Sequence, residues 1–477
     1  MKRFRDLLEN IDYVSYVDAG NFPINYVNNN SKKIGADDIF VAVKGSLTDG
    51  HKYIDSAIDA GSKIIVHQDE VVKREGISYI RVRDSRKALA QVSNYLTDSP
   101  SSKINMVAVT GSNGKSTTSR LIAYLSSKLV GKSGSIGTNN ALLDGEAIPT
   151  ANTTPDICEI NLILEKALDK GIKNMAIEAS SHGLSQKRLY GVDIDYGIFT
   201  NLSEEHLDYH KTMDKYFEAK MILFDQAKTT LANIDDPYGK RAKDLYPDTI
   251  TFGIYSEEAD FRAENLVKDD KEISFTLKGV DFTLNTIADY EVYNTLAAAS
   301  VLSLMGYPME DIRDAVESFP GIKSRFEYIE NDLGINIILD FAHTPRAFES
   351  VFKAVPNHIQ KIAVFGINGD RNSEFRRLIG RTCADNDVLA VLTTDDPKFD
   401  RVEHINSEII AGIEEGKGQY VVRKDRDKAM EYAFSHADKG AYVFLLGKGE
   451  ENFIKFNGNE KTPYSERETI REVLERL

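Results

Sequence analysis

The chain has 477 residues, 42% of them hydrophobic, enough for two to four cores of roughly 100–200 residues each. Acidic residues outnumber basic ones, 74 to 59, and the formal charge of -15 argues against nonspecific binding to nucleic acid or anionic membranes, which wants a basic surface. An anionic small substrate in a local basic pocket remains compatible with that balance. Cys158 and Cys383 are far apart and lack metal-ligand spacing, so a disulfide framework is not expected and a reducing cytosol fits. The opening "MKRFRDLLENIDYV" carries charges where a signal peptide needs an apolar core, and no apolar run approaches the ~20 residues that span a bilayer. The expectation is a cytoplasmic monomer with no membrane insertion and no nucleic-acid partner.

Three blocks follow one another, with boundaries expected at 1–100, 101–322 and 323–477. In the first, strand-like runs ("DDIFVAVKG", "SKIIVHQ", "ISYIRV") surround one helical stretch, "HKYIDSAIDAG". "LTDSPSSKIN" supplies proline and serine for a linker. The middle block alternates "INMVAVT", "KNMAIEASS", "YGIFTNLS" and "TTLANID" with helices, and such near-continuous apolar strands predict a mostly parallel sheet. Residues 251–287 read as shorter β-rich structure, and "EVYNTLAAASVLSLMG" as a helix closed by glycine. The third block resets at "GIKSRFEYI" and gives "INIILDFAH", "KIAVFGING", "DVLAVLTTD" and "AYVFLLGKG", each followed by a helical pattern. The expected fold class is α/β in three domains: a small mixed N-terminal domain, a central phosphate-loop domain on a mostly parallel sheet, and a C-terminal Rossmann-like domain. Polar residues and glycines gather just after the strands, where open parallel sheets bind ligands.

"MVAVTGSNGKSTTSRLI" runs from an apolar strand through a glycine loop and Lys-Ser into a helix. It is shorter than G-x-x-x-x-G-K-[ST], because Val109 stands where the first glycine belongs. Loop glycines let backbone N–H groups approach phosphate oxygens, and the helix adds its positive end. Lys115 would bring a charge to the transferring phosphate and Ser116 a hydroxyl to Mg2+. Alone, the loop reads as readily as an ordinary strand-turn-helix junction. Glu178 ends one later strand and His206 follows another, both at the carboxyl edge of the same expected sheet. Singly, each is as well explained as a capping carboxylate or a satisfied turn histidine. Together they suit Mg2+ ions that bridge phosphate oxygens.

The set "TGSNGKSTT", "NTTPD", "IEASSHGLSQKR", "TNLSEEHLDYH", "YFEAKMILF", "NIDD", "SRFE", "DFAHTP", "GINGDRN", "TTDDPKFD" and "GKGEE" resembles the Mur ligases across essentially the whole chain, in family order. That resemblance implies an ATP-dependent, ADP-forming ligase of peptidoglycan synthesis, adding a third amino acid to UDP-N-acetylmuramoyl-L-Ala-D-Glu through an acyl phosphate. It implies that Gly111, Asn113, Gly114, Lys115, Ser116 and Thr117 hold ATP, with Asn233 and Asn294 near adenine and ribose. Arg325 and Asp340 then reach ATP from the third block. Ser116, Glu178, His206 and Lys220 would serve two Mg2+ ions, Lys220 as a CO2-derived carbamate. Read from sequence alone, Lys220 is a solvated helix lysine. Asn152, Thr153, Thr154, Ser180, Gln186 and Arg188 match contacts to the UDP-muramyl dipeptide, and Ser31 sits in "NSK" where the family has Asp-Ser-Arg. Other departures are Glu205 for the aspartate before the metal histidine, and Ala288 and Glu291 in "ADYEVYN". Other readings are another Mur or folylpolyglutamate-type ligase, a plain phosphotransferase, or a non-catalytic scaffold.

For the incoming amino acid the resemblance points to Arg371 for its α-carboxylate, and to Asp395, Asp396, Lys398, Gly447 and Glu451 around its far end. Relatives that choose meso-diaminopimelate carry Asp-Asn-Pro-Arg and Gly-Lys-Gly-His-Glu. Here Asp396 replaces the asparagine, Lys398 the arginine and Glu450 the histidine. A lysine cannot reproduce the guanidinium fork, and a more negative pocket favours a side chain ending in an ammonium. The expected substrate is therefore L-lysine or ornithine, with meso-diaminopimelate as the alternative should Asp396 and Glu450 face solvent.

Overall fold

The computed structural model describes residues 2–45, 48–269, 271–458 and 460–477. It is an α/β protein built on three main sheets, as expected. The first is five-stranded, in order β1-β5-β4-β3-β2, from β1 (Ser15–Val17), β2 (Val27–Asn28), β3 (Ile39–Val41), β4 (Ile64–His67) and β5 (Ser78–Arg81). Besides the short helix Ile54–Asp59 it carries a longer one, Ser85–Thr97, that the sequence reading passed over. Asp84 starts that helix by accepting from the N–H groups of Arg86 and Lys87.

The second sheet has nine strands: β6 (Asn105–Thr110), β7 (Ser133–Ile136), β8 (Asn140–Leu143), β9 (Glu146–Pro149), β10 (Asn174–Glu178), β11 (Ile194–Phe199), β12 (Ala227–Asn233), β13 (Ile250–Gly253) and β14 (Phe261–Arg262). Their order, β14-β13-β12-β11-β6-β10-β7-β8-β9, is parallel throughout except for the β7-β8-β9 end. All of β10 and nearly all of β6 are buried, which is why they read as continuous apolar runs. A three-stranded antiparallel meander follows: β15 (Glu264–Lys268), β16 (Ile273–Leu277) and β17 (Val280–Leu284).

The third main sheet has the order β18-β19-β23-β20-β21-β22, from β18 (Glu327–Ile329), β19 (Asn336–Asp340), β20 (Lys361–Phe365), β21 (Val388–Leu392), β22 (Tyr420–Val422) and β23 (Tyr442–Leu446). Only β18 runs antiparallel. Alternate residues face opposite layers: Ile338, Phe365 and Phe444 enter one core, Leu339, Val364 and Leu445 the other. A closing hairpin, β24 (Phe453–Phe456) and β25 (Glu460–Pro463), had no clear pattern in the sequence. The chain packs into two compact units. One holds the residues up to Arg262 with Asn294–Ala315, and the other holds Ala263–Tyr293 with Val316–Leu477. The meander thus groups with the C-terminal unit, although the sequence reading places it in the middle block. No helix among the described residues is long and apolar enough to cross a membrane.

Candidate active site

In the first unit, β6 lies between β11 and β10, with Phe199 level with Thr110 and Glu178 level with Val109. Three neighbouring strands therefore end together, and the glycine loop rises between the two flanking ones. Residues after β11 hold it. Thr200 Oγ1 donates to Asn113 O at 2.6 Å, Asn113 N to Asn201 Oδ1 at 3.0 Å, and Ser112 N to Asn201 O at 2.8 Å. Gly111, at φ +150, passes so close that a Cβ there would lie 1.9 Å from Thr200 Oγ1. Gly114 caps the helix Lys115–Val130 and presses on Asn294, whose Oδ1 accepts from Thr118 Oγ1 at 3.1 Å. Asn294 thus braces the loop from inside. Asn233 ends β12 in a buried turn, accepting from Asp235 N at 3.1 Å.

Lys115 Nζ folds back to donate to Gly111 O (2.9 Å) and Ser112 O (2.8 Å). Lys220 donates to the same Gly111 carbonyl at 2.7 Å and lies 4.5 Å above the Tyr216 ring. It is 1% exposed, on the helix Met213–Gln226, so the expectation of a solvated lysine is overturned. Burial first, and the neighbouring Lys115 charge second, hold its pKa well below the ordinary lysine value. His206 sits at φ +57, its Nε2 3.3 Å from the Glu205 carboxylate, and burial pulls it down to about 4. The imidazole is therefore neutral at neutral pH, as a metal ligand must be. His182, 4.9 Å from the His206 ring, and His210, stacked on Tyr216, are company that sequence reasoning missed.

Glu178 is buried, its carboxylate accepting from Thr138 N (3.0 Å) and Thr138 Oγ1 (3.3 Å). From it a web of hydrogen bonds runs through the residues assigned to the dipeptide. Thr153 Oγ1 meets Thr138 Oγ1 at 3.2 Å, and Thr154 Oγ1 donates to Glu178 O at 2.7 Å and lies 2.9 Å from Ser180 Oγ. Arg188 donates to Thr154 O (2.8 Å) and Gln186 Oε1 (2.9 Å). Asn152 is exposed at the rim, and Ser31 opens a 3-10 turn over Ser31–Lys33 beside the five-stranded sheet. That part of the chain also sends Arg86 to Gln186 O at 2.9 Å, a guanidinium that lies outside the recognised motifs. Glu178 at the end of β10, Ser116 in the first turn of the loop helix and His206 after β11 all follow this sheet edge, and a carboxylate, a hydroxyl and a neutral imidazole are groups that Mg2+ accepts.

In the second unit, Asp340 ends β19, accepting from Phe326 N and Ala342 N at 2.6 Å each, and burial raises its pKa. Arg325 lies 5.1 Å over the Phe341 ring. A cavity of about 110 Å3 opens where β19, β20, β21 and β23 end, lined by Arg371, Asp395, Asp396, Gly447, Glu451 and Lys455 among others. Lys448, fully buried and absent from the sequence assignment, donates to Asp396 at 2.7 Å, Glu451 at 2.8 Å and Asp395 at 3.3 Å. Two expectations change here. Asp396 does not add bare negative charge, because Lys448 and Lys455 N (3.0 Å) hold its carboxylate. Lys398 pairs with Asp370 and does not line the cavity, while Glu450 is exposed and also off the lining.

The phosphate loop, with a buried carboxylate and a half-buried imidazole at one sheet edge and an acidic cleft on a Rossmann-like sheet, defines an α/β ligase. Three family descriptions match: Mur ligase family, catalytic domain, over residues 23–96; Mur ligase middle domain over 109–302; and Mur ligase, glutamate ligase domain, over 324–449. A protein of Clostridioides difficile (strain 630) named UDP-N-acetylmuramoyl-L-alanyl-D-glutamate--2,6-diaminopimelate ligase is 34% identical over 100% of both chains. One of the same name from Aquifex aeolicus (strain VF5) is 35% identical over 93% of this chain and 92% of its own. A solved structure under that name aligns with a TM-score of 0.67 at 27% identity over 95% of both chains. The fold is shared with MurF ligase from Thermotoga maritima in complex with ADP, at a TM-score of 0.63 and 20% identity over 95% and 97% of the two chains. The chain belongs to the Mur ligase family and is an enzyme of the ligase class.

Proposed function

We propose that the enzyme joins a diamino acid to the D-Glu carboxylate of UDP-N-acetylmuramoyl-L-Ala-D-Glu, converting ATP to ADP and phosphate. A carboxylate oxygen attacks the γ-phosphorus and ADP leaves. The amine then attacks the acyl carbon, phosphate departs with the C–O bond electrons, and an amide remains. Lys115 meets the charge of the transferring phosphoryl group, and the loop N–H groups fix its oxygens. Ser116, Glu178 and His206 would hold Mg2+, which neutralises phosphate charge. An uncharged Lys220 can take up CO2 as a carbamate and so become a further anionic ligand. Thr153, Thr154, Ser180, Gln186 and Arg188 orient the dipeptide, and the hydrogen bonds that link them to Glu178 through Thr138 and Thr154 set acceptor against phosphate. The observation that carries the reading is this convergence of Lys115, Glu178, Lys220 and the dipeptide web on one sheet edge. The test is ADP release: it should require the UDP-dipeptide and a diamino acid together, and a phosphorylated product accumulating without amine contradicts it.

Within that reading the substrate is lysine or ornithine. The difference from the diaminopimelate-choosing motifs lies after Pro397, where Lys398 stands for the bidentate arginine and pairs with Asp370, off the cavity lining; Asp395 and Glu451, which face the cleft, suit the ammonium of any diamino acid. Lys455 on the cavity wall favours a second reading, meso-diaminopimelate, whose extra carboxylate it could meet; the names of the relatives point the same way. Turnover of each amino acid with the same UDP-dipeptide separates them.

A further inference from the structure

The carboxylates of the amino-acid cleft are organised by one buried cation. Each proton of the Lys448 ammonium has a carboxylate acceptor, on Asp396, Glu451 and Asp395, and ligand atoms of those three acids lie within 4.8 Å of one another. Carboxylates that close together do not stay ionised without a countercharge. Lys448 is 0% exposed and sits behind the cleft, which Asp395, Glu451 and Arg371 line.

We propose that Lys448 is a positioning residue for the diamino acid, holding Asp395 and Glu451 ionised and aimed so that they receive its distal ammonium while Arg371 takes the α-carboxylate. The inference rests on the diamino-acid reading above and holds for lysine and meso-diaminopimelate alike. Around Asp395, burial, Asp396 and Glu451 push its carboxyl up, while Lys448 and Arg426 pull it down. Removing Lys448 tips the cluster towards protonated acids, which pair poorly with an ammonium.

Steady-state kinetics of Lys448→Ala against wild type test this. The KM for the diamino acid should rise about tenfold or more, with a smaller fall in kcat and KM values for ATP and UDP-dipeptide within about twofold. That KM should drop again as pH is raised from about 6 to 8. Propylammonium, filling the vacated space with a cation, should lower it, and propanol should not. An unchanged or lower KM, or equal rescue by amine and alcohol, overturns the proposal. Should Lys448→Ala fail to fold in a thermal melt, Lys448→Met, which keeps the buried stem and removes the charge, should still raise the diamino-acid KM severalfold, and no rise overturns it. Wild-type enzyme that turns over no diamino acid removes the underlying reading; wild-type turnover with an unmoved variant KM removes this one alone.

Discussion

Two buried lysines, one in each unit, meet opposite electrostatic fates. Lys220 leaves water for a backbone carbonyl and an aromatic face, with a second lysine on the same carbonyl, and its pKa falls far below normal. Burial also pulls Lys448 down, but three carboxylates overcome it and the pKa ends above normal. Desolvation alone penalises the charged amine; countercharges at hydrogen-bond distance reverse the sign. The difference assigns chemistry. A neutral amine can react with CO2, whereas a permanent ammonium can only organise its neighbours.

The largest effect expected is at the phosphate. Lys115→Ala should cost on the order of 10^3–10^5 in kcat while leaving UDP-dipeptide binding measured by calorimetry intact. A small loss would mean that the loop cations do not meet the transferring group. Next comes another compensated cation of the second unit: Arg426, 4% exposed, forks onto Glu466 at 2.6 and 2.7 Å. Arg426→Met strands Glu466 and should lower stability by about 3–5 kcal/mol in chemical denaturation. Lys220→Ala should reduce kcat on the order of 10^2-fold, with partial recovery in added short-chain carboxylate, which supplies the missing anion. Lys448→Ala should show no such recovery, and recovery of both variants by one additive would erase the contrast drawn between the two sites. The smallest effect concerns acid. His210 is buried against Tyr216 and held at about 4, against 6.5 unfolded. The unfolded chain then binds more protons between those values, so stability should fall as pH drops from 6.5 to 4, by on the order of 2 kcal/mol. Thermal melts of His210→Asn should show a shallower decline through that window.

Much of the fold was legible because buried parallel strands write themselves as apolar runs, and β6, β10, β20 and β23 did so. The hairpin Phe453–Phe456 with Glu460–Pro463, and the exposed β9, have no such signature: their stability comes from pairing and docking, not from their own pattern. Within the site, Lys115, Glu178 and His206 could be placed by strand ends alone. Lys220 could not, since a helix lysine gives no sign of its burial. Nor could Thr138, Thr200 or Lys448, whose roles come from long-range packing. The charge of Asp396 was misjudged for the same reason, because its partner lies 52 residues away.

The contrast between the two lysines is tested most directly by 13C NMR of the folded enzyme equilibrated with 13C-bicarbonate. One carbamate carbon resonance is predicted for wild type, retained in Lys448→Ala and absent in Lys220→Ala. No carbamate signal in wild type, or one that survives Lys220→Ala, contradicts the account.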